Sequence, residues 1–198
     1  CLPGRLRNRT RSERRDRRHI ICRDFGYTEK YYCKNARIIE TIYLLPEIIK
    51  NTANRFPDNV AFRYENESLT FEELIKRSNQ LAFMLSELGV KRGDRVGVFL
   101  DPSLETAISV YGIMSRGAVF VPLDSNAPPA RIAYVINDCG ISYIISGKKQ
   151  GRSLKKILQE NISLEVVIGM DEKLPVKTVS WEEIARISPS QTVSVHHA

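Results

Sequence analysis

From residue 96 onward, short apolar runs alternate with amphipathic stretches, and this alternation restricts the possible folds more than any other feature. Val96–Leu100, Val119–Leu123, Ser142–Ile145 and Leu164–Ile168 are too short for helices and nearly free of charge. Such runs read as strands buried on both faces. Between them, Asp101-Pro102 to Gly117, Pro129–Asp138 and Leu154–Gln159 carry apolar residues at helical spacing. A strand-helix-strand alternation of this kind predicts an α/β fold, a layered and mostly parallel sheet with helices on both faces and right-handed crossovers.

The preceding segment has a different character. Leu44, Leu45, Ile48 and Ile49, continuing to Ala53, form one face of a short helix that ends before Pro57. Val60–Tyr64 and Ser68–Phe71 then read as a hairpin turned by Glu65, Asn66 and Glu67. The next helix is the best specified in the chain. Thr70 can cap it while Glu73 reaches back to the cap, Leu69 can staple onto Leu74, and the apolar face runs to a stop at Gly89. A last short helix starts at Trp181 with Ser180 as its cap. Trp181 reads as core packing.

Charge is uneven. Residues 1 to 20 hold eight arginines against Glu13 and Asp16, six of the net seven positive charges of the 198-residue chain. This basic arm has no interleaved aromatics, so it can grip phosphates only through charge, weakly and with strong salt dependence. Residues 1–40 read as a basic, disordered lead-in, and residues 41–198 as the folded part. The chain opens on Cys1 rather than Met, which points to a fragment. No stretch has the apolar core of a secretory signal or the length of a membrane span, so a cytoplasmic setting is expected. Cys1, Cys22, Cys33 and Cys139 lack the paired spacing of zinc or redox sites and read as reduced and structural. The sequons at Asn8, Asn66 and Asn161 carry little weight in a chain with no mark of secretion.

The usual catalytic patterns are missing. No G-x-G-x-x-G follows a strand, and Gly147-Lys148 fails as a phosphate loop because Ser142 stands at the first glycine position and Lys149 at the Ser/Thr position. Ser146–Ser153 therefore reads as a solvated basic loop. His19, His196 and His197 lie near the chain ends, away from any core in which a general base could be oriented. The pairs Glu72-Glu73 and Glu182-Glu183 sit on helical surfaces and suit capping better than acid-base work. No catalytic, cofactor-binding or metal residue is expected in this chain.

Four stretches, in order, resemble the adenylate-forming (AMP-binding) superfamily of acyl-CoA synthetases, luciferases and peptide-synthetase adenylation domains. Leu69-Thr70-Phe71-Glu72-Glu73-Leu74 resembles its first core motif, and Ile113 to Asp124, a helix end, a glycine turn and a strand closing on Pro122 and Asp124, resembles its second. Between them, Gly89-Val90-Lys91-Arg92-Gly93-Asp94-Arg95-Val96 is similar to the family's G-V-x-x-G-D-x-V. After them, Pro129 to Asp138, with Arg131-Ile132, resembles its P-x-x-R-I helix. These stretches read physically as scaffold, with Gly89 and Gly117 stopping helices and Pro122 ending a strand.

The resemblance implies that residues 41–198 are a truncated N-terminal subdomain of an AMP-forming ligase. The parent enzyme would join a carboxylic acid to ATP as an acyl-adenylate, then pass the acyl group to CoA or a carrier pantetheine, with Mg2+ offsetting phosphate charge. In the family, the phosphate loop, the adenine and ribose contacts and the catalytic lysine lie further along, so none is placed here and the fragment itself is expected to be inactive. Acyl and amino acid activating members share these motifs, so the acid stays open. The competing class is a non-catalytic module whose basic arm binds nucleic acid or a protein partner. Sheet edges without a neighbour predict exposed apolar surface and aggregation.

Overall fold

The structure is a computed structural model that describes residues 45–160 and 162–188. It opens with helix α1 (Leu45–Arg55) and an antiparallel hairpin of β1 (Val60–Tyr64) and β2 (Glu67–Thr70). Helix α2 (Phe71–Glu87) follows at once. Then come β3 (Arg95–Phe99), α3 (Leu104–Arg116), β4 (Val119–Pro122), α4 (Pro129–Asp138) and β5 (Tyr143–Ser146). A single 3-10 turn, Lys148–Gln150, runs into α5 (Gly151–Ile157), and the chain continues through β6 (Val166–Ile168), β7 (Lys177–Val179) and α6 (Trp181–Ala185).

Strands β3 to β7 form one sheet in the order β4-β3-β5-β6-β7, with every neighbouring pair parallel. The expected layered α/β architecture is what the chain adopts. Because strand side chains alternate faces, each strand serves two cores. Val96 and Val98 of β3, Ile145 of β5 and Val166 and Ile168 of β6 join Leu74, Leu81 and Leu85 of α2 and Ile108 and Ile113 of α3 on one face. Phe99, Ile144 and Val167, each offset by one residue, pack on the other face against Ile132, Ala133 and Ile136 of α4 and Leu154 and Ile157 of α5. A continuous apolar run is therefore required in each central strand, which is why these strands were legible.

Local signals act as expected in α2. The Glu73 amide donates to Thr70 Oγ1 at 3.2 Å and the Thr70 amide donates to Glu73 Oε2 at 2.9 Å, closing the capping box. Leu69 and Leu74, the staple pair, are both buried in the same cluster. The helix stops at Gly89, whose φ of 89° is left-handed, with Gly89 N–H donating to Ser86 O and Val90 N–H to Leu85 O. Gly117, at φ 79°, ends α3 through the same pair of bonds to Met114 and Ile113.

Two expectations need correction, and one strand was not anticipated. The helix after β3 starts at Leu104 rather than at Asp101-Pro102, because Ser103 Oγ takes the Thr106 amide and so makes Ser103 the cap. Ser146–Ser153 is not a solvated loop: it holds the 3-10 turn and the start of α5, and Ser146, Gln150 and Gly151 are buried. The polar strand β7 went unread. Exposed apolar side chains are present as expected: Leu45, Ile48, Phe56, Val60 and Phe62 near the start, and Val119 and Phe120 on the edge strand β4.

Candidate functional site

In an open parallel sheet, a crevice forms beyond the carboxyl ends of the strands where consecutive connections leave in opposite directions. Strand β3 is the first parallel strand. The chain next places β4 on one side of it and β5 on the other, so the switch point lies between β3 and β5. Its rim is built from residues 100–103 after β3, 123–126 after β4 and 147–150 after β5.

Two of these segments are tied together. Ser125 Oγ donates to Asp101 Oδ1 at 2.5 Å, and Thr106 Oγ1 donates to the Asp101 carbonyl at 2.8 Å. The Asn126 amide donates to Asp124 Oδ1 at 2.9 Å, which turns the chain away from β4. Below the third segment, Ser146 is fully enclosed and its hydroxyl has no hydrogen-bond partner among the described residues. A side chain at Gly147 would press on Leu100 Cδ2 at 3.1 Å and Gln150 Oε1 at 3.2 Å, so the loops after β3 and β5 meet there at van der Waals range. The rim is a rigid floor. Its acids are used to hold loops, and no nucleophile stands beside a general base.

Two further clefts open elsewhere. One, of about 370 Å³, lies at the amino ends of the strands between Lys91, Asp94, Arg95, Tyr143 and Glu165. There the Tyr143 hydroxyl donates to Leu88 O at 3.0 Å, and Asp94 Oδ2 accepts the Lys91 amide at 2.7 Å. Burial, then the charges of Glu165 and Asp94, hold the Tyr143 phenol above the usual tyrosine range, so it stays protonated and acts as a donor. The other, of about 410 Å³, runs between α2 and α6 beside Lys76, Gln80 and Trp181. Gln80 Nε2 donates there to the carbonyls of Ala185 and Ile187, at 3.0 and 2.8 Å.

The residues singled out in the sequence take structural positions. Glu73 and Glu183 close capping boxes, Glu183 through bonds of 3.0 and 3.1 Å with Ser180. Trp181 is partly buried against the core, and Cys139 is a free, partly buried thiol. Asn66 is exposed in the hairpin turn. Cys1, Cys22, Cys33, His19, His196, His197, Asn8, Asn161 and the arginine run lie outside the described residues. Among the described residues no group of three His, Cys, Asp or Glu side chains could hold a metal ion, and no helix is long and apolar enough to cross a membrane.

Comparison with known proteins decides the family. Residues 49–196 match the AMP-binding enzyme family. The chain belongs to that family. It is 37% identical over 169 residues to surfactin synthase subunit 2 of Bacillus subtilis (strain 168), covering 77% of this chain and 5% of the relative. It is 30% identical over 151 residues to tyrocidine synthase 1 of Brevibacillus parabrevis, covering 72% of this chain and 14% of the relative. The fold is that of the anthranilate CoA ligase AuaEII, solved in complex with anthranoyl-AMP, at a TM-score of 0.67 and 24% identity over 79% of this chain and 30% of that one. This chain thus spans a small share of the first curated relatives it matches, about a twentieth of each surfactin synthase subunit.

Proposed function

We propose that this AMP-binding chain is the scaffold part of an enzyme that activates a carboxylic acid with ATP. The acid's carboxylate attacks the α-phosphorus of ATP, forming an acyl-adenylate and releasing pyrophosphate, and a thiol then takes the acyl group and releases AMP. The family match over residues 49–196 is the observation that carries this reading. The peptide synthetases among the relatives favour a carrier pantetheine as the thiol, while the CoA ligases among the structural neighbours favour CoA.

Residues 41–198 would then be a truncated N-terminal subdomain, and its own side chains supply rigidity. The Asp101–Ser125 link and the contact of Gly147 with Leu100 hold the rim of the switch point in a single arrangement. Catalysis of phosphoryl-centre chemistry depends on preorganised charges aimed at the phosphates. The described residues present no such set, so the groups that engage ATP and magnesium are assigned to the parts of the relatives that this chain does not span. The isolated chain is accordingly inactive in this reading.

The test is pyrophosphate exchange with ATP and a panel of fatty, aryl and amino acids, run in parallel on this chain and on its full open reading frame. Exchange in the full frame alone is the expected result. Silence in both would sink the adenylation reading, and exchange by the chain alone would show that these residues hold the phosphate-binding groups after all.

A further inference from the structure

The helical stretch that follows β5 keeps all its cations on one side. Lys148, Lys149, Arg152, Lys155 and Lys156 are exposed, whereas Gln150, Gly151, Leu154 and Ile157 are buried. Arg152, Lys155 and Lys156 share one face of α5, and Lys148 and Lys149 lead into it on the 3-10 turn. Of these five cations only Lys155 has an ion-pair partner among the described residues, with its Nζ 2.6 Å from Glu172 Oε2. No acid lies within residues 148–156 themselves.

The rest of the folded part has the opposite balance. Residues 45–188 carry 18 basic and 18 acidic side chains, so with five cations here the remainder holds 13 basic against 18 acidic ones. A concentrated positive face on a net acidic body is unfavourable to assemble, since like charges three and four residues apart on a helix repel. It gains when a partner supplies anions. At a rise of about 1.5 Å per residue the cations span about 12 Å.

We propose that this face docks a compact acidic surface of another protein. The site's dimensions and borders select that partner over a nucleic acid. Glu160 follows the stretch four residues on and Glu172 reaches Lys155 from the segment after β6, so an extended polyanion would run past the short basic face onto acidic side chains. No exposed aromatic lies on the face to stack with bases. A compact acidic patch meets Lys148, Lys149, Arg152 and Lys156 without reaching past them. The face starts directly after Gly147, so a docked partner is held beside the carboxyl rim of the sheet. This inference stands on charge placement and does not rest on the adenylation reading.

The probe is a fluorescent helical peptide with glutamates at i, i+1, i+4, i+7 and i+8, compared with a peptide of identical composition whose glutamates are spread around the helix. Anisotropy is read with the full chain at low and at physiological ionic strength. The patterned peptide is expected to bind at least about tenfold tighter than the spread one. That ratio should fall to one in the Lys149→Glu/Arg152→Glu/Lys156→Glu variant and survive in Arg5→Glu/Arg7→Glu/Arg9→Glu, which alters only the arginine run. If circular dichroism shows the first variant unfolded, Lys149→Gln/Lys156→Gln replaces it, with the ratio expected to drop in the same direction. A ratio of one in the wild type, or one unchanged in the face variants, overturns the proposal. So does a single-stranded oligonucleotide that binds this face more tightly than the patterned peptide.

Discussion

Helices α2 and α3 approach closely where Gly112 faces Leu81, and adding one methyl group there tests how far packing rather than helix propensity decides stability. A Cβ on residue 112 would lie 2.7 Å from Leu81 Cδ2 and 3.0 Å from both Leu81 Cβ and Cγ. The first atom can swing away. The other two are rooted in α2, and Leu81 is fully enclosed, so relief needs the helices to separate. Overpacking of this kind falls in the upper part of its range, about 2–3 kcal/mol, while Gly→Ala in a helix interior returns about 1 kcal/mol. Gly112→Ala should therefore destabilise the folded chain by about 1–2 kcal/mol, lowering a thermal midpoint by roughly 3–6 °C. The decisive control is the Leu81→Ala background. Leu81→Ala alone should cost about 2–5 kcal/mol, and with Cγ and Cδ2 gone only the Cβ contact at 3.0 Å remains, so Gly112→Ala should cost clearly less there than in the otherwise unaltered chain. Urea unfolding of the four proteins in the cycle gives the coupling. If Gly112→Ala stabilises the otherwise unaltered chain, propensity outweighs packing at this crossing and the reasoning is refuted.

Other perturbations give separate readings. Gly169 has a left-handed φ of 91°, and a Cβ there would meet the Ser146 carbonyl oxygen at 2.5 Å and Trp181 Nε1 at 2.6 Å. Gly169→Ala should cost about 3 kcal/mol or more, because backbone strain and a clash with main chain add, and a small shift of the urea midpoint would contradict this. Thr70→Ala opens the capping box of α2 and should cost about 1 kcal/mol, seen as a lower thermal midpoint, whereas Thr70→Ser should keep most of it. Tyr143 supplies a pH test. Its phenol is raised above the ordinary value near 10.0, so the unfolded chain releases that proton first, and the associated stability is complete below that value and lost as pH climbs through the native one. Tyr143→Phe should remove this part of the alkaline decline and also lose the bond to Leu88 O; an unchanged decline would show that other groups account for it.

What could be read from the sequence was whatever is decided locally. The α2 boundary was legible because its cap, staple and glycine stop all lie within the helix or two residues beyond it. The central strands were legible because burial on both faces demands an unbroken apolar run. Strand β7 could not be read, since Lys177–Val179 is three residues long at the sheet edge, with Lys177 exposed, and owes its conformation to the neighbouring β6. The start of α5 was hidden for a related reason. Ser-Gly-Lys-Lys-Gln-Gly has the composition of a loop, yet a Cβ at Gly151 would stand 2.9 Å from Glu172 Oε1 and 3.3 Å from Met170 Cε. That glycine answers to close packing by a segment about twenty residues away.

The candidate site was the least legible part, and the reason is adjacency. Hydrophobic period reports which residues form strands but not which strands lie side by side. Asp101 and Ser125 are 24 residues apart, and nothing in either neighbourhood marks them as partners until β4 lies beside β3. The switch point is likewise a property of strand order, fixed only when β4 and β5 flank β3. The stretches that resemble the AMP-binding family are, by contrast, helix stops, strand ends and a capping box, each a local constraint on the backbone. Family membership could thus be read from scaffold residues while the rim they support stayed hidden. It follows that substitutions in those stretches should act first on stability.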